Sequence, residues 1–202
     1  AGNYALTING VAPCILSVQS NGNSLRSVLP SSGTSNITPL TTLLTDYLIA
    51  RAGQQAGASD AVLISNPRFV AIAGNNPAIG DGILAVRNHI RAAYLQDVGT
   101  NFLSETIATP QSGQQNQADR LLDVIGSLNG IESNGLPKPQ DRQTLIALGT
   151  QAGSANPQSD NGSAFGNNNG TGTGVGTGTP ITPGTGVGTG VGTGGPITID
   201  TG

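Results

Sequence analysis

The hydrophobic pattern changes from that of strands to that of a helix within the stretch Asn36-Ile37-Thr38-Pro39-Leu40-Thr41-Thr42-Leu43-Leu44. Thr38 is suited to cap a helix N-terminus, and Pro39 is suited to the first helical position. Gly53 gives a natural helix end. The stretch therefore predicts a helix over roughly Pro39–Ala52. Its core stripe is formed by the apolar residues at helical spacing, Leu40, Leu43, Leu44, Tyr47 and Leu48.

Upstream of this helix, three short runs have the composition and alternation of strands: Tyr4–Ile8, Cys14–Gln19 and Ser24–Leu29. They are separated by Asn9-Gly10 and by Asn21-Gly22-Asn23, and Asn-Gly between such runs is a strong hairpin signal. We therefore expect a small antiparallel meander over residues 4–30. A sheet this small has open edges, and an open edge can pair with a further strand.

Downstream, the pattern is helical. A second helix is predicted near Ala78–Gln96, a third over Gln117–Leu128 and a short fourth over Arg142–Gln151, with a further short helix around Asp60–Ile64 in a loop-rich stretch. The predicted fold class is α+β. The predicted organisation is a β-meander in 1–35, a helical region in 36–153, a linker in 154–169 and an extended glycine/threonine-rich segment in 170–202.

The C-terminal segment alternates glycine with threonine or valine and repeats itself, because Gly172–Thr182 returns almost unchanged as Gly188–Thr198. On a strand this spacing leaves one face as bare backbone and the other as a Thr/Val stripe, which favours close packing of chains. Polyglycine-like helices packed side by side are the alternative conformation, and a flexible linker is the alternative role. The predicted assembly residues are Gly172, Thr173, Gly174, Val175, Gly176, Thr177, Gly188, Thr189, Gly190, Val191, Gly192 and Thr193.

The low charge content and the single lysine of the sequence argue against nucleic-acid and membrane partners. Only 9% of the residues are charged, against roughly 25% in ordinary soluble proteins, so copies of the chain repel one another weakly. The formal net charge is −3 and Lys138 is the single lysine, which leaves no basic patch for phosphate backbones. We therefore expect neither nucleic acid nor an anionic membrane as a partner.

The sequence also has features of an exported protein. It contains no methionine and begins Ala-Gly-Asn, the kind of small-residue start that signal peptidase leaves. No apolar run approaches the roughly 18 residues of a membrane span. We expect an extracellular or cell-surface location without a membrane-spanning helix.

Few residues are available for catalysis. His89 and Cys14 are the only histidine and cysteine, and no nucleophile, phosphate-loop or metal-spaced motif is present. We therefore predict no enzyme, no catalytic residue, no cofactor and no metal site, with His89 as a structural helix residue. Asp119 and Asp123 share a helical face, but together with Asp141 they offer too few oxygen ligands for calcium. Cys14 is either a buried thiol or the site of an intermolecular disulfide.

The segment Gly2-Asn3-Tyr4-Ala5-Leu6-Thr7-Ile8 resembles the end of a transthyretin-like or carboxypeptidase-regulatory-like immunoglobulin-type sandwich. Pro13–Val18, Asn36–Thr41 and Asp119–Asp123 are similar to segments of large exported proteins of Gram-negative bacteria, in which the sandwich precedes a helical region. The resemblance implies a partial Ig-like sandwich in 1–35. That family has several strands before the Gly-x-Tyr strand, and the tail of another subunit could supply a missing strand by donor-strand addition.

Two functions fit these features. The first is a structural subunit of an extracellular bacterial filament, ribbon or biofilm matrix, which assembles with itself by strand addition involving the glycine/threonine-rich tail. Its partners are other copies of the chain, with other matrix components as further candidates. The alternative is a surface adhesin or binding module whose tail is a flexible stalk.

Overall fold

The chain forms a two-stranded hairpin followed by six helices over the residues that the structure, a computed structural model, describes: 12–20, 22–105 and 117–155. The α+β class expected from the sequence is confirmed. In chain order the elements are β1 (Cys14–Ser20), β2 (Asn23–Leu29), α1 (Pro39–Arg51), α2 (Asp60–Ser65), α3 (Pro67–Ala73), α4 (Asn76–Tyr94), α5 (Gln117–Ser127) and α6 (Pro139–Ala155).

The hairpin forms where the sequence predicts it. Strands β1 and β2 are antiparallel, in a register that runs from Cys14 opposite Leu29 to Ser20 opposite Asn23. Gly22 in the turn has a φ of 79°, a left-handed value that a glycine adopts without steric cost. The predicted strand Tyr4–Ile8 lies outside the described residues, so the third strand of the meander and the Ig-like sandwich stay predictions.

Helix α1 is the centre of the fold. Thr38 accepts a hydrogen bond from the backbone N–H of Thr41, and the Thr41 side chain accepts one from the N–H of Thr38, which forms a capping box. The helix begins at Pro39 as predicted and ends at Arg51, one residue before the predicted end. Every residue from Leu40 to Arg51 is buried, so burial extends well beyond the predicted core stripe.

The polar residues of α1 are buried together with their partners. The Thr45 hydroxyl donates to the carbonyl of Thr41 at 2.8 Å, a bond to the preceding helical turn. Asp46 is fully buried against the guanidinium of Arg142, and buried Arg51 pairs with Asp81 at 2.8 Å. These bonds offset much of the desolvation cost, which allows neighbouring elements to cover the helix on all sides.

Helix α6 packs on α1 through glycines. Gly149 and Gly153 are buried and lie one turn apart on the same face of α6. A Cβ on Gly149 would overlap the carbonyl oxygen of Tyr47, and a Cβ on Gly153 would overlap that of Arg51. The two backbones therefore meet without intervening side chains, the arrangement that small residues four apart permit.

Two helical predictions were incomplete. The stretch predicted as loop-rich contains α3, whose Phe69 and Ile72 are core residues and whose first turn is capped by Asn66. The predicted short helix Arg142–Gln151 is longer in both directions, Pro139–Ala155, and includes the first two residues of the predicted linker 154–169. Helical propensity is low at its glycines, and the close packing on α1 extends the helix past them.

Helices α3 and α4 meet at a bend of 75°. Together, the pair has the length and apolar composition that could cross a membrane. Within the described ranges, no single helix is both long and apolar enough to do so.

Candidate functional site

The outer edge of β2, on the side away from β1, is closed by side-chain hydroxyl groups. The backbone N–H of Arg26 donates to Thr42 Oγ1 at 3.0 Å, and Thr41 Oγ1 donates to the Arg26 carbonyl at 3.0 Å. Ser35 Oγ donates to the Val28 carbonyl, also at 3.0 Å. These groups occupy the positions that another strand would need, so the sheet cannot extend on this side.

The opposite edge belongs to β1 and has a different environment. Because the backbone groups of Arg26 and Val28 point away from β1, their cross-strand partners Ser17 and Ile15 form pairs without mutual hydrogen bonds. The backbone N–H and C=O groups of Ile15, Ser17 and Gln19 therefore point away from β2. The sheet has only these two strands in the part of the chain that the structure describes, and no described strand lies on the β1 side, where the predicted strand Tyr4–Ile8 would pair.

The hairpin has an inner face and an outer face. The inner face carries Ile15, which packs against the core, and Arg26, whose guanidinium donates to the carbonyls of Ala56 and Ala58 at 3.3 and 2.9 Å. Arg26 also lies 3.2 Å from the carboxylate of Asp60. This face therefore lies against the α1–α2 connection and the start of α2.

The outer face of the hairpin carries Leu16 and Val18 from β1 and Leu25 and Leu29 from β2. Val18 is 38% exposed, the other three are partly buried, and all four lie outside the core cluster. Cys14 shares this face, is partly buried and lies opposite Leu29. An intermolecular disulfide through Cys14 stays a prediction. The predicted assembly residues 172–177 and 188–193 lie outside the described residues.

A second candidate region is an open groove of about 390 Å³ between α4 and α6. Exposed Leu84 of α4 and Leu148 of α6 form its apolar part. His89 lies in its wall and donates from Nε2 to Asp141 Oδ1 at 2.8 Å, while the Tyr94 hydroxyl donates to Asp141 Oδ2 at 2.5 Å. One carboxylate thus joins two residues of α4 to the first turn of α6.

The carboxylate of Asp141 is almost completely buried, with 8% of its side chain exposed. Its position in the first turn of α6 favours a negative charge there. Desolvation and the hydrogen bond to this carboxylate raise the pKa of Tyr94 well above its ordinary value, so Tyr94 stays a hydrogen-bond donor at any physiological pH.

Asp141 forms a clamp between α4 and α6, because its carboxylate accepts hydrogen bonds from both His89 and Tyr94. Among the described residues, no serine, threonine or cysteine forms a hydrogen bond with His89. The same part of the chain contains no group of three His, Cys, Asp or Glu side chains that could hold a metal ion. The sequence analysis placed His89 on the second predicted helix and Asp141 one residue before the fourth, but it contained no signal that they pair, because they lie 52 positions apart.

We expect Asp141→Ala to lower the free energy of unfolding by about 2 kcal/mol, because it leaves the partly buried donors of His89 and Tyr94 without their acceptor. Chemical denaturation monitored by circular dichroism measures this difference. The matched control is Asp97→Ala, which removes a carboxylate from the exposed pair with Arg87 and should change stability little. Equal stability of the two variants would contradict the clamp.

No family model, curated protein or solved structure matches the chain. The likeness of residues 2–8 to the end of an Ig-type sandwich therefore stays a prediction from the sequence.

Proposed function

We propose that this protein is a structural subunit of an extracellular bacterial filament, ribbon or biofilm matrix. In this proposal the glycine/threonine-rich tail of one copy adds as a strand to the β1 side of the hairpin sheet of another copy, where it takes the place of the predicted strand Tyr4–Ile8, which would otherwise pair with β1. The supporting observation is the asymmetry of that sheet, which is closed along β2 by Thr41, Thr42 and Ser35 and open along β1 in the described residues.

The asymmetry implies head-to-tail assembly. A sheet that can grow on one side only has one acceptor edge per copy, and each copy has one donor tail. Such a heterologous contact produces a ring if its rotation closes and a filament if it does not. Helix α6 ends at Ala155, and the 14 residues 156–169 could span up to about 46 Å if fully extended.

The composition of the β1 edge supports the same proposal. Sheet edges of monomeric proteins are commonly protected by charged residues, prolines or bulges. Strand β1, Cys14–Ser20, contains no charged residue and no proline. The one charged residue of the hairpin is Arg26, which is bound to the α1–α2 connection. Strand β1 itself therefore carries no charge or proline that would oppose strand addition.

The tail is suited to the role of donor. Its glycines carry no side chains that would limit the approach of backbones, and its threonines and valines favour extended conformations. With few charges on the chain, electrostatic repulsion between copies is small. The proposed subunit has no catalytic activity and no cofactor, and its location is extracellular or at the cell surface.

An adhesin or binding module is the second candidate, with the tail as a flexible stalk. The groove between α4 and α6 favours it, because the groove exposes Leu84 and Leu148 beside the polar side chains of Asp81 and Asn88. A concave surface with an apolar part and a few polar groups is the usual form of a ligand site.

Negative-stain electron microscopy of three proteins tests the proposal: the full chain, a chain ending at Asn169, and the full chain with Ser17→Pro. We expect filaments from the first and monomers from the other two. Proline at position 17 removes an N–H that points away from β2, so it blocks strand addition without removing a hydrogen bond of the hairpin.

Ser17→Thr is the matched control, because it keeps the backbone N–H and should assemble like the parent. Unchanged circular dichroism and thermal midpoint of Ser17→Pro would show that its hairpin is intact. Filaments from the truncated chain, or normal filaments from Ser17→Pro, would contradict assembly by strand addition at this edge. Monodisperse particles from the full chain would favour the adhesin.

A further inference from the structure

The open groove between α4 and α6 has the features of a small-ligand site. Its volume is about 390 Å³, at the lower end of the range for pockets that hold small molecules. We propose that it binds a small aliphatic diamine, with one charged amine at Asp81 and the other at His89. The site is independent of the proposed strand addition, because none of its lining residues belongs to the hairpin or to the tail.

The two polar ends of the groove are set by one face of α4. Asp81, Ala85 and His89 follow one another at four-residue spacing, so they lie on the same side of the helix. With a rise of about 1.5 Å per residue, Asp81 and His89 are separated by about 12 Å along the helix axis. Octamethylenediamine, whose two amines are joined by a straight alkyl chain, has a similar length when it is extended. Both of its ends can therefore reach a polar group at the same time.

Asp81 gives the groove an accessible negative charge. Its Oδ2 lies 2.8 Å from Arg51 Nη1, but 58% of the Asp81 side chain is exposed against 5% of the Arg51 side chain. A second, almost completely buried carboxylate belongs to Asp141, and the neighbouring Arg142 is paired with Asp46. Among the described residues that line the groove there is no lysine or arginine. The groove therefore attracts a cation and repels an anion.

His89 provides a hydrogen-bond acceptor at the other end. An ionised carboxylate accepts hydrogen bonds and cannot donate them, so in the bond of 2.8 Å between His89 and Asp141 the proton belongs to Nε2. The neutral ring then has its lone pair on Nδ1, and no donor among the described residues binds that nitrogen. The carboxylate also makes the ring a stronger base. Because the His89 side chain is only 13% exposed, a ligand amine would meet this acceptor with little competition from water.

The groove is apolar on both of its walls. Leu84 of α4 is 49% exposed, Leu148 of α6 is 37% exposed, and both line the groove. An alkyl chain between the two amines would bury part of this surface, which is favourable in proportion to the apolar area removed from water. A metal ion offers no such contact. Charge and apolar surface together therefore select an organic cation with a polar group at each end.

Isothermal titration calorimetry of the full chain with octamethylenediamine tests the proposal at low ionic strength and about pH 8, where amines are charged and a histidine is neutral. We expect saturable binding. Octamethylene glycol has the same chain without charge, and aminooctanoate has a carboxylate in place of one amine. Each should bind at least about tenfold more weakly than the diamine. Equal affinity for the glycol, or no binding of the diamine, would overturn the proposal.

Three variants locate the bound diamine. Leu148→Lys adds a positive charge to the groove at an exposed position and should weaken binding at least about tenfold, and Leu84→Lys repeats the test from the other wall. Leu95→Lys is the matched control, because Leu95 is 86% exposed and does not line the groove. It changes the net charge equally and should bind the diamine like the parent.

Circular dichroism of each variant checks that its fold is retained. Unchanged binding in both groove variants would place the diamine elsewhere and overturn the proposed site. An equal loss of binding in Leu95→Lys would show that the diamine responds to net charge alone, which would also overturn it. Neither result would bear on filament formation, which electron microscopy measures separately.

Discussion

We expect Gly149→Ala to lower the free energy of unfolding by about 3 kcal/mol, although alanine is the better helix former. A Cβ at position 149 would overlap the backbone carbonyl of Tyr47 in α1, and a backbone atom cannot move aside as the end of a flexible side chain can. Helices α1 and α6 would have to separate. The buried pair of Asp46 with Arg142 bridges the same two helices, so the separation would also strain that ion pair.

Gly80→Ala is the matched control, because Gly80 lies inside α4 and a Cβ there would meet no atom within 4 Å. It should raise stability by up to about 1 kcal/mol through the lower conformational entropy of the unfolded chain and the higher helical propensity of alanine. Urea denaturation of the two variants and the parent measures both effects. If Gly149→Ala were as stable as Gly80→Ala, the backbones of α1 and α6 could not be in contact at this point.

The elements with local start or turn signals were predictable from the sequence. Thr38 followed by Pro39 marked the beginning of α1, and Asn21-Gly22 marked the hairpin. Asn66-Pro67 has the same form as Thr38-Pro39, a capping side chain followed by proline, and α3 begins there. The signal was present, and it was missed because the following helix is short and carries only a few core residues.

The burial of α1 on every face could not be predicted in the same way. Its threonines and Asp46 lie outside the predicted core stripe, and Asp46 can be buried because its partner comes from a distant part of the chain. Arg142 is separated from Asp46 by 96 positions. Periodicity within one helix contains no information about a partner so far away, and the length of α6 has the same origin in its packing on α1.

The closure of the β2 edge could not be predicted from the sequence. Alternation and Asn-Gly predicted a small sheet with open edges, but the hydroxyls of Thr41 and Thr42 bind the backbone of Arg26 and close one of them. These residues lie 15 and 16 positions from Arg26, and the alternation within a strand contains no information about such a contact. In the proposed assembly, a single acceptor edge would favour head-to-tail growth, whereas two open edges would allow branched or disordered association.

We expect Arg142→Met to lower the free energy of unfolding by about 4 kcal/mol at neutral pH, since it leaves the buried carboxylate of Asp46 without its hydrogen-bonded counter-charge, with only the charge of Arg26 still acting on it. In the parent, Arg142 Nε lies 2.7 Å from Asp46 Oδ2 and the second nitrogen lies 3.2 Å from Oδ1. Arg87→Met is the control, because Arg87 forms an exposed pair with Asp97 and its removal should change stability little.

The pH dependence of the stability of Arg142→Met distinguishes the effect of a buried charge from the effect of lost packing. Burial raises the pKa of Asp46 above 3.8, and the hydrogen bond and charge of Arg142 oppose that rise, so the variant should have a still higher Asp46 pKa. A carboxyl whose pKa is higher in the folded state loses stability as pH rises through that pKa. The deficit of the variant should therefore be largest at neutral pH and should shrink as pH falls towards 3.8.

The double variant Asp46→Leu with Arg142→Met removes both charges and should be at least as stable as the parent, because apolar side chains of similar volume often replace a buried ion pair without loss. Denaturation of the parent, both single variants and the double variant completes the cycle. The loss of stability would instead come from the packing of the arginine stem between α1 and α6 if the deficit of Arg142→Met did not depend on pH. The same would follow if the double variant were no more stable than Arg142→Met. If the double variant had the stability of the parent, Arg142 would be needed because Asp46 is charged. The burial of α1 on all sides would then depend on neutralising this one carboxylate.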